Sequence, residues 1–303
     1  KCHLEARASM AKTRISQVGD IRNILGEGPV WDVQEQALYW TDVEGRLLWR
    51  HRPGDDSFES WRTPGRVGSL ALREVGGLVL ATEHEFAYFD PDSGNYDPLG
   101  QIPEAGTRTR FNDGKVDRQG RFLAGTIDEA MRDPSGALYL LDPVTGTTTL
   151  DKDIICSNGP CFSPDGRTLY FTDTLKYVIY AYDYDSNSGQ ASNRRVFADM
   201  RKLGLPGAPD GCTVDAQGYL WNALCTGGTI ARYAPDGTLD RTVEMPVSYV
   251  SSVMFGGEQL DVLYVTSISA PLLGRPAQEL NAGALFSVEG LGVRGLAEPR
   301  FGG

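Results

Sequence analysis

The segment GEGPVWDVQEQALYWTD at residues 26–42 has a second copy, SNGPCFSPDGRTLYFTD, at residues 157–173. In both copies a Gly-Pro pair precedes apolar residues, a polar turn follows, and the next strand ends in Leu-Tyr-aromatic-Thr-Asp. Further copies begin near Phe111 and Pro209, and weaker ones begin near Val67 and Val250. Short apolar strands separated by turns rich in Asp and Gly are typical of all-β proteins. The repeat therefore predicts an all-β fold built from similar units.

The six copies align on one apolar residue of the first strand in each unit. These residues are Trp31, Leu72, Val116, Phe162, Val214 and Phe255, with successive separations of 41, 44, 46, 52 and 41 residues. A unit of about 40 to 50 residues that carries about four strands has the size of a propeller blade. The C-terminal GALFSVEGLGVRGLAEPRF at residues 283–301 predicts strands that complete the last blade together with the start of the chain. We therefore predict a single-domain six-bladed β-propeller.

The propeller is expected to span residues 14–303. Residues 1–13 are expected to be a leader outside the fold, either an expression-vector remnant or a disordered segment. The sequence shows no membrane-spanning or signal-peptide pattern. Its formal net charge of −11 argues against nucleic acid as a partner. Five cysteines, Cys2, Cys156, Cys161, Cys212 and Cys225, form no paired framework. We therefore expect a cytoplasmic monomer or weak homo-oligomer with buried, reduced thiols.

Polar residues recur at one position of the repeat, four residues before each aligned apolar residue. The six ring positions are Glu27, Gly68, Asn112, Asn158, Asp210 and Ser251. The first strand of each propeller blade lies nearest the axis, so these side chains are expected to converge on the central channel. Carboxylate and amide oxygens are the ligands of hard divalent cations. Asn-Gly and Asp-Gly pairs also form ordinary turns, but four polar groups at one repeat position favour a metal site.

Several motifs carry a family resemblance. GEGPVW, RFNDGKVD, SNGP, PDGCTVDAQGYLW and AGALFSVEGLGVRG resemble the regucalcin (senescence marker protein 30)/gluconolactonase family, and the likeness runs from about Gly26 to the C-terminus. The resemblance implies a six-bladed propeller with metal-dependent lactonase activity. It also implies that the metal ligands are Glu27, Asn158 and Asp210, three of the ring residues.

The same resemblance implies a set of residues that bind the substrate. Arg110 and Asn112 of the RFND motif would contact the hydroxyls of a sugar. Family members with a glutamate shortly after the Gly-Thr turn also use it on the substrate. Here GTIDEA places Asp128 and Glu129 near that point and Ala130 at what could be the equivalent position. Glu129 is our candidate, and the alternative is that both acidic residues are solvated loop charges.

The chemistry expected of such a site is the hydrolysis of a sugar-acid lactone to the free acid. A divalent metal would polarise the lactone carbonyl and activate the attacking water, with Asp210 as the general base. Oxygen ligands of this kind accept Ca, Zn, Mn, Mg or Fe(II). His3, His51 and His84 lie outside the ring, which argues against a Ser-His-Asp triad. Two alternatives are a calcium-binding regulatory protein without catalysis and a propeller hydrolase acting on other esters such as organophosphates.

Overall fold

The fold is known here from a computed structural model that describes residues 12–102, 108–272 and 274–303. Most of the predicted leader, residues 1–11, lies outside the described residues. Within the described ranges the chain forms 24 strands, one helical turn α1 (Met200–Leu203) and one 3-10 turn (Thr174–Lys176). The strands make six four-stranded antiparallel sheets. The predicted all-β, single-domain six-bladed propeller is confirmed.

The strands follow one another through the blades in chain order, except for β1 (Arg14–Val18), which belongs to the last blade. Blade 1 contains β2 (Gly26–Asp32), β3 (Ala37–Asp42), β4 (Leu47–Arg52) and β5 (Ser57–Arg62). Blade 2 contains β6 (Ser69–Leu72), β7 (Leu78–Ala81), β8 (Glu85–Phe89) and β9 (Tyr96–Gln101). Blade 3 contains β10 (Thr109–Val116), β11 (Phe122–Asp128), β12 (Gly136–Asp142) and β13 (Gly146–Ile154).

The second half of the ring has the same plan. Blade 4 contains β14 (Ser157–Phe162), β15 (Thr168–Asp173), β16 (Val178–Asp185) and β17 (Gln190–Asp199). Blade 5 contains β18 (Ala208–Val214), β19 (Leu220–Cys225), β20 (Thr229–Tyr233) and β21 (Leu239–Glu244). Blade 6 contains β22 (Val250–Gly256), β23 (Val262–Ser267) and β24 (Leu285–Glu289). Strand β1 pairs with β24 from Arg14 opposite Glu289 to Val18 opposite Leu285, so the start of the chain completes the last blade as predicted.

The core lies between neighbouring blades. The six aligned apolar residues are all on the first strands of their blades, and each is at most 5% exposed. Clusters of apolar side chains join adjacent sheets, as where Phe111 of blade 3 packs against Phe86 of blade 2 with ring centroids 4.6 Å apart. Burial of these side chains between sheets is the main stabilising term of the fold. In the described ranges no helix is both long enough and apolar enough to cross a bilayer.

The C-terminal segment after β24 crosses the propeller at the end opposite the ring positions. Its contacts run from Arg294 to Ala216, from Arg300 to Asp32, from Phe301 to Leu72 and from Gly302 to Gly120. The contacted residues lie at or just beyond the ends of the inner strands of blades 5, 1, 2 and 3, whereas the ring positions lie at the beginnings. The segment therefore covers that end of the propeller and ties blade 6 to blades on the other side of the ring.

Replacement of Phe301 by Ala should destabilise the protein by about 3–5 kcal/mol, because this fully buried ring fills the contact between blades 2 and 3. The free energy of unfolding from urea or guanidinium titration measures the effect. Val144→Ala is the control: Val144 is 90% exposed, so its loss should change stability by less than about 0.5 kcal/mol. A cost for Phe301→Ala no larger than that of the control would contradict a packing role for the C-terminal segment.

Candidate functional site

The inner strands depart from regular pairing beside the ring positions. Register shifts lie between Glu27 and Val30, Phe111 and Gly114, Asn158 and Cys161, Pro209 and Cys212, and Val250 and Val253. A β-bulge breaks the strict alternation of side chains and re-aims those beside it. The ring residues can therefore face the axis while the rest of each strand keeps its apolar residues in the core.

Close contact between inner strands narrows the propeller at this end. A Cβ atom on Gly68 would lie 2.4 Å from the carbonyl oxygen of Asn112, and one on Gly159 would lie 2.8 Å from the carbonyl oxygen of Asp210. No side chain fits at such distances, which explains why blade 2 has glycine at its ring position. Asn112 and Asn158, the polar ring residues of blades 3 and 4, are in direct hydrogen-bond contact at this end.

The final aspartates of the two LY-aromatic-TD segments fix the starts of the inner strands. Asp42 accepts hydrogen bonds from the backbone N–H groups of residues 24 and 25, at 3.0 and 2.9 Å. Asp173 accepts from the N–H groups of residues 155 and 156, at 3.3 and 3.1 Å. Residues 25 and 156, which donate the second bond of each pair, lie two positions before Glu27 and Asn158, respectively. The repeated motif therefore positions two of the predicted metal ligands.

A hydrogen-bond chain joins three of the predicted site residues across blades 3 and 4. Arg110 Nη1 donates to Asn112 Oδ1 at 3.0 Å, and Asn112 Nδ2 donates to Asn158 Oδ1 at 2.8 Å. Asn158 Nδ2 in turn donates to Thr174 Oγ1 at 2.8 Å. All three predicted residues are at most 7% exposed. These hydrogen bonds orient the side-chain amide of Asn158. Its oxygen accepts one bond and keeps a second lone pair that could bind a cation.

Glu27 and Asp210 are buried carboxyls without a basic partner. Each is 5% exposed, and in the described parts of the chain neither forms an ion pair. Burial raises the pKa of Glu27 well above its ordinary value, and repulsion from Asp210 and Asp113 raises it further, while the positive charge of Arg110 opposes the shift as the smallest of the named causes. Burial likewise raises the pKa of Asp210, with Asp113 the next cause. Asp210 Oδ1 is also buried without a hydrogen-bond partner. These groups require protons or a cation to offset their charge.

Asp113 is a third buried carboxyl at the site, and the sequence analysis missed it. Its side chain accepts from the backbone N–H of Gly114 and, across the blade boundary, from that of Gly159, both at 2.8 Å. Burial raises its pKa, and the nearby Lys115 opposes the shift. The only sequence signal was its place directly after Asn112, in an Asp-Gly pair that is also typical of a turn.

The thiols near the site are buried, as expected from the sequence. Asn158 Nδ2 lies 3.7 Å from the sulfur of Cys156, and the thiol of Cys225 lies beside the Asp210 carboxyl. Burial raises the pKa of Cys156 to about 12, so this thiol stays protonated at neutral pH. The two thiols therefore surround the oxygen ligands as uncharged neighbours.

Glu129, the predicted substrate residue after the Gly-Thr turn, lies in an ion pair that the sequence did not predict. Both of its carboxylate oxygens accept from Arg66 Nη2 at 3.1 Å. Arg66 Nε also donates to Glu83 Oε1 at 2.8 Å, and Nη1 lies 3.6 Å from Glu44. Arg66 thus joins turns of blades 1, 2 and 3 at the end of the propeller that carries the ring.

A hard divalent cation binds several oxygen donors, among them carboxylates and amide carbonyls. Within the ranges described above, no group of three or more His, Cys, Asp or Glu side chains is arranged to hold a metal. A cation here would therefore depend on the two carboxylates of Glu27 and Asp210, the amide oxygen of Asn158, and oxygens from water or substrate. Two negative charges and a neutral oxygen suit a hard divalent ion. The uncompensated carboxyls and the unpartnered Asp210 Oδ1 fit this interpretation.

The chain is similar in sequence and in fold to known proteins. The profile of the family described as "SMP-30/Gluconolactonase/LRE-like region" matches residues 25–269. A 6-deoxy-6-sulfogluconolactonase of Pseudomonas putida is 36% identical, covering 93% of this chain and 96% of its own. Regucalcin of Xenopus laevis is 35% identical, covering 92% and 95%. The crystal structure of a calcium-binding protein, regucalcin, from Agrobacterium tumefaciens superposes with a TM-score of 0.87, at 26% identity and with 94% and 96% of the chains covered.

The raised carboxyl pKa values predict how the stability of the metal-free protein depends on pH. A carboxyl whose pKa is higher in the folded than in the unfolded state destabilises the fold once it ionises. This penalty is fully present above the folded pKa and is removed as the pH falls toward the unfolded value of about 4. In chelator, wild-type protein should therefore gain stability relative to Asp210→Asn as the pH falls from about 8 to about 5.

Melting temperature as a function of pH, measured on both proteins, checks this expectation. Saturating divalent cation is the control, because a bound cation lowers the carboxyl pKa values and should reverse the sign of the difference. Parallel curves for wild type and Asp210→Asn in chelator would show that Asp210 is not held at a raised pKa.

Proposed function

The chain belongs to the SMP-30/Gluconolactonase/LRE-like family, and on that premise we propose that it is a metal-dependent lactonase that opens a sugar-acid lactone to the free acid. The proposed metal ligands are Glu27, Asn158 and Asp210. The proposed substrate is an aldonolactone of the gluconolactone type, because one relative is named as a sulfogluconolactonase. Lactone hydrolysis adds water to the carbonyl carbon, breaks the ring C–O bond and leaves a hydroxy acid.

The observation that carries the proposal is the pair of buried, uncompensated carboxyls beside an oriented amide oxygen. Glu27 and Asp210 have no basic partner among the described residues, and Asn158 Oδ1 is turned toward Asn112 by a 2.8 Å hydrogen bond. Buried carboxyls of this kind are stable only when paired, protonated or bound to a metal. A single divalent cation would offset both charges and use the amide oxygen as a third ligand.

The residues around that position divide the work of hydrolysis. A bound divalent cation supplies Lewis-acid polarisation of the carbonyl and a lower pKa for water. Asp210 is the proposed general base: one of its two carboxylate oxygens takes the proton of the attacking water and returns it to the ring oxygen as the C–O bond breaks. Arg110 and Asn112 would hold the hydroxyls of the sugar, which fixes the carbonyl carbon relative to Asp210. Their burial keeps bulk water away from these hydrogen bonds.

A calcium-binding role without catalysis would use the same three ligands, and the Agrobacterium relative is itself described as a calcium-binding protein. Such a role would not need a buried arginine at the site. Arg110 is 6% exposed and is linked through Asn112 to Asn158, one of the proposed ligands. A buried guanidinium linked through one amide to a proposed ligand suits recognition of a polar substrate, and this link favours the enzyme.

Removal of bound metal should abolish lactonase activity, and its return should restore it. The measurement is acid release from D-glucono-1,5-lactone, followed with a pH indicator and corrected for spontaneous hydrolysis. Metal content is measured on the same samples, with Ca, Mg, Mn and Zn added back one at a time. Full activity in protein shown to be free of metal would contradict the proposed role of the cation.

Asp210→Asn should lower kcat by about 10² to 10⁴ even at full metal occupancy, because it removes the general base while keeping an oxygen ligand. Asn112→Ala should instead raise mainly KM, because it removes an interaction that substrate and transition state share. Steady-state kinetics at saturating metal, with metal content checked for each variant, separate the two effects. If Asp210→Asn with full metal kept a near-normal kcat, Asp210 would be a ligand only.

A further inference from the structure

The buried guanidinium of Arg110 has no carboxylate partner in the described residues. Both of its hydrogen bonds use Nη1, one to the carbonyl oxygen of Phe111 at 2.8 Å and one to Asn112 Oδ1 at 3.0 Å. A charged group that is only 6% exposed is normally paired, because its removal from water is costly. Arg110 therefore has positive charge and further N–H groups available for a ligand in the same site.

Two partners of Arg66 form backbone hydrogen bonds with residues on either side of Arg110. Glu83 binds Arg66 Nε, and its carbonyl oxygen accepts from Phe111 N at 3.0 Å. Glu129 binds Arg66 Nη2, and its backbone N donates to the carbonyl oxygen of Arg108 at 3.0 Å. Residue 108 lies just before β10 and residue 111 lies within it, on either side of Arg110. The two residues whose carboxylates fix Arg66, Glu83 and Glu129, are thus hydrogen-bonded through their backbones to the segment on either side of Arg110.

The two guanidinium groups disfavour each other's charge. Burial lowers the pKa of Arg110, and the positive charge of Arg66 lowers it further. Glu44, Glu83 and Glu129 offset the charge of Arg66 and fix its geometry before a ligand arrives. Arg66 Nη1, 3.6 Å from Glu44, is its least engaged nitrogen. An anion in contact with both guanidiniums would relieve the repulsion and supply the missing partner of Arg110.

We propose that Arg66 and Arg110 form a subsite for an anionic substituent on the carbon chain of the substrate, such as a sulfonate, phosphate or carboxylate. The preferred substrate is then a lactone that carries a negative charge away from its carbonyl. Guanidinium groups suit such anions because their planar N–H donors match two oxygens at once. Glu129 is a positioning residue for Arg66 in this arrangement and does not itself bind the substrate. The inference rests on the proposed lactonase function.

The first test compares kcat/KM for 6-phospho-D-glucono-1,5-lactone and for D-glucono-1,5-lactone at fixed ionic strength. Wild-type enzyme should prefer the phosphorylated lactone by about tenfold or more, and Arg66→Gln should lower that ratio by about tenfold, the size of one charge-assisted hydrogen bond. Arg66→Lys should keep part of the preference.

Arg108→Gln is the matched control: Arg108 is a neighbouring arginine paired with Asp128 and Asp133, and its loss should change the ratio by no more than about twofold.

Two results of this comparison would overturn the subsite. One is a wild-type enzyme that hydrolyses the neutral lactone as well as the phosphorylated one. The other is an equal fall of the ratio in Arg66→Gln and Arg108→Gln, because this would show an effect of net charge alone.

The second test measures binding without turnover. D-glucose 6-phosphate and D-glucose are titrated into wild-type protein and Arg66→Gln by calorimetry. The phosphorylated sugar should bind wild type about tenfold more tightly than glucose, and the variant should lose that difference. Binding that depends on Arg66, with no hydrolysis of either lactone, would support the subsite and contradict the lactonase function. Hydrolysis of both lactones with equal binding of both sugars would support the lactonase and overturn the subsite.

Discussion

Two carboxyl groups, Glu27 and Asp210, lie buried near the axis of the propeller, and among the described residues neither forms an ion pair. The inner strands approach so closely at this end that glycine is required at their contacts, as at Gly159 against the backbone of Asp210. The blades pack through their apolar faces and hold the carboxyls in place although the metal-free arrangement is electrostatically unfavourable. This combination of enforced proximity and absent ion pairs is the physical basis for proposing a cation at the site.

Much of the fold was predictable because the sequence repeats. Each blade has the same alternation of apolar strands and turns, so alignment on residues such as Trp31 and Phe162 located the inner strands. The same alignment placed Glu27, Asn158 and Asp210 at equivalent positions, and the structure buries all three at one end of the ring. Closure of the last blade by β1 was also predictable, because the C-terminal segment at residues 283–301 resembles strands that complete a blade together with the start of the chain.

Contacts between blades were not predictable from the repeat. Arg66 and Glu129 are 63 residues apart and lie in different blades, so no local pattern links them. Asp113 looked like part of a turn because it precedes a glycine, yet it bonds the N–H of Gly159 in the next blade. The path of the C-terminal segment across the inner strands depends on single contacts such as that of Phe301 with Leu72. Such features arise from the three-dimensional arrangement and have no periodic signal.

The hydrogen bonds from Arg110 through Asn112 to Asn158 connect the residues proposed to bind the substrate with a proposed metal ligand. Crystals soaked in Mn²⁺ and measured for anomalous scattering would test this arrangement. We expect one strong peak within about 2.0–2.6 Å of oxygens from Glu27, Asn158 and Asp210. No peak among these three residues at saturating Mn²⁺, or a strong peak at other residues only, would contradict it.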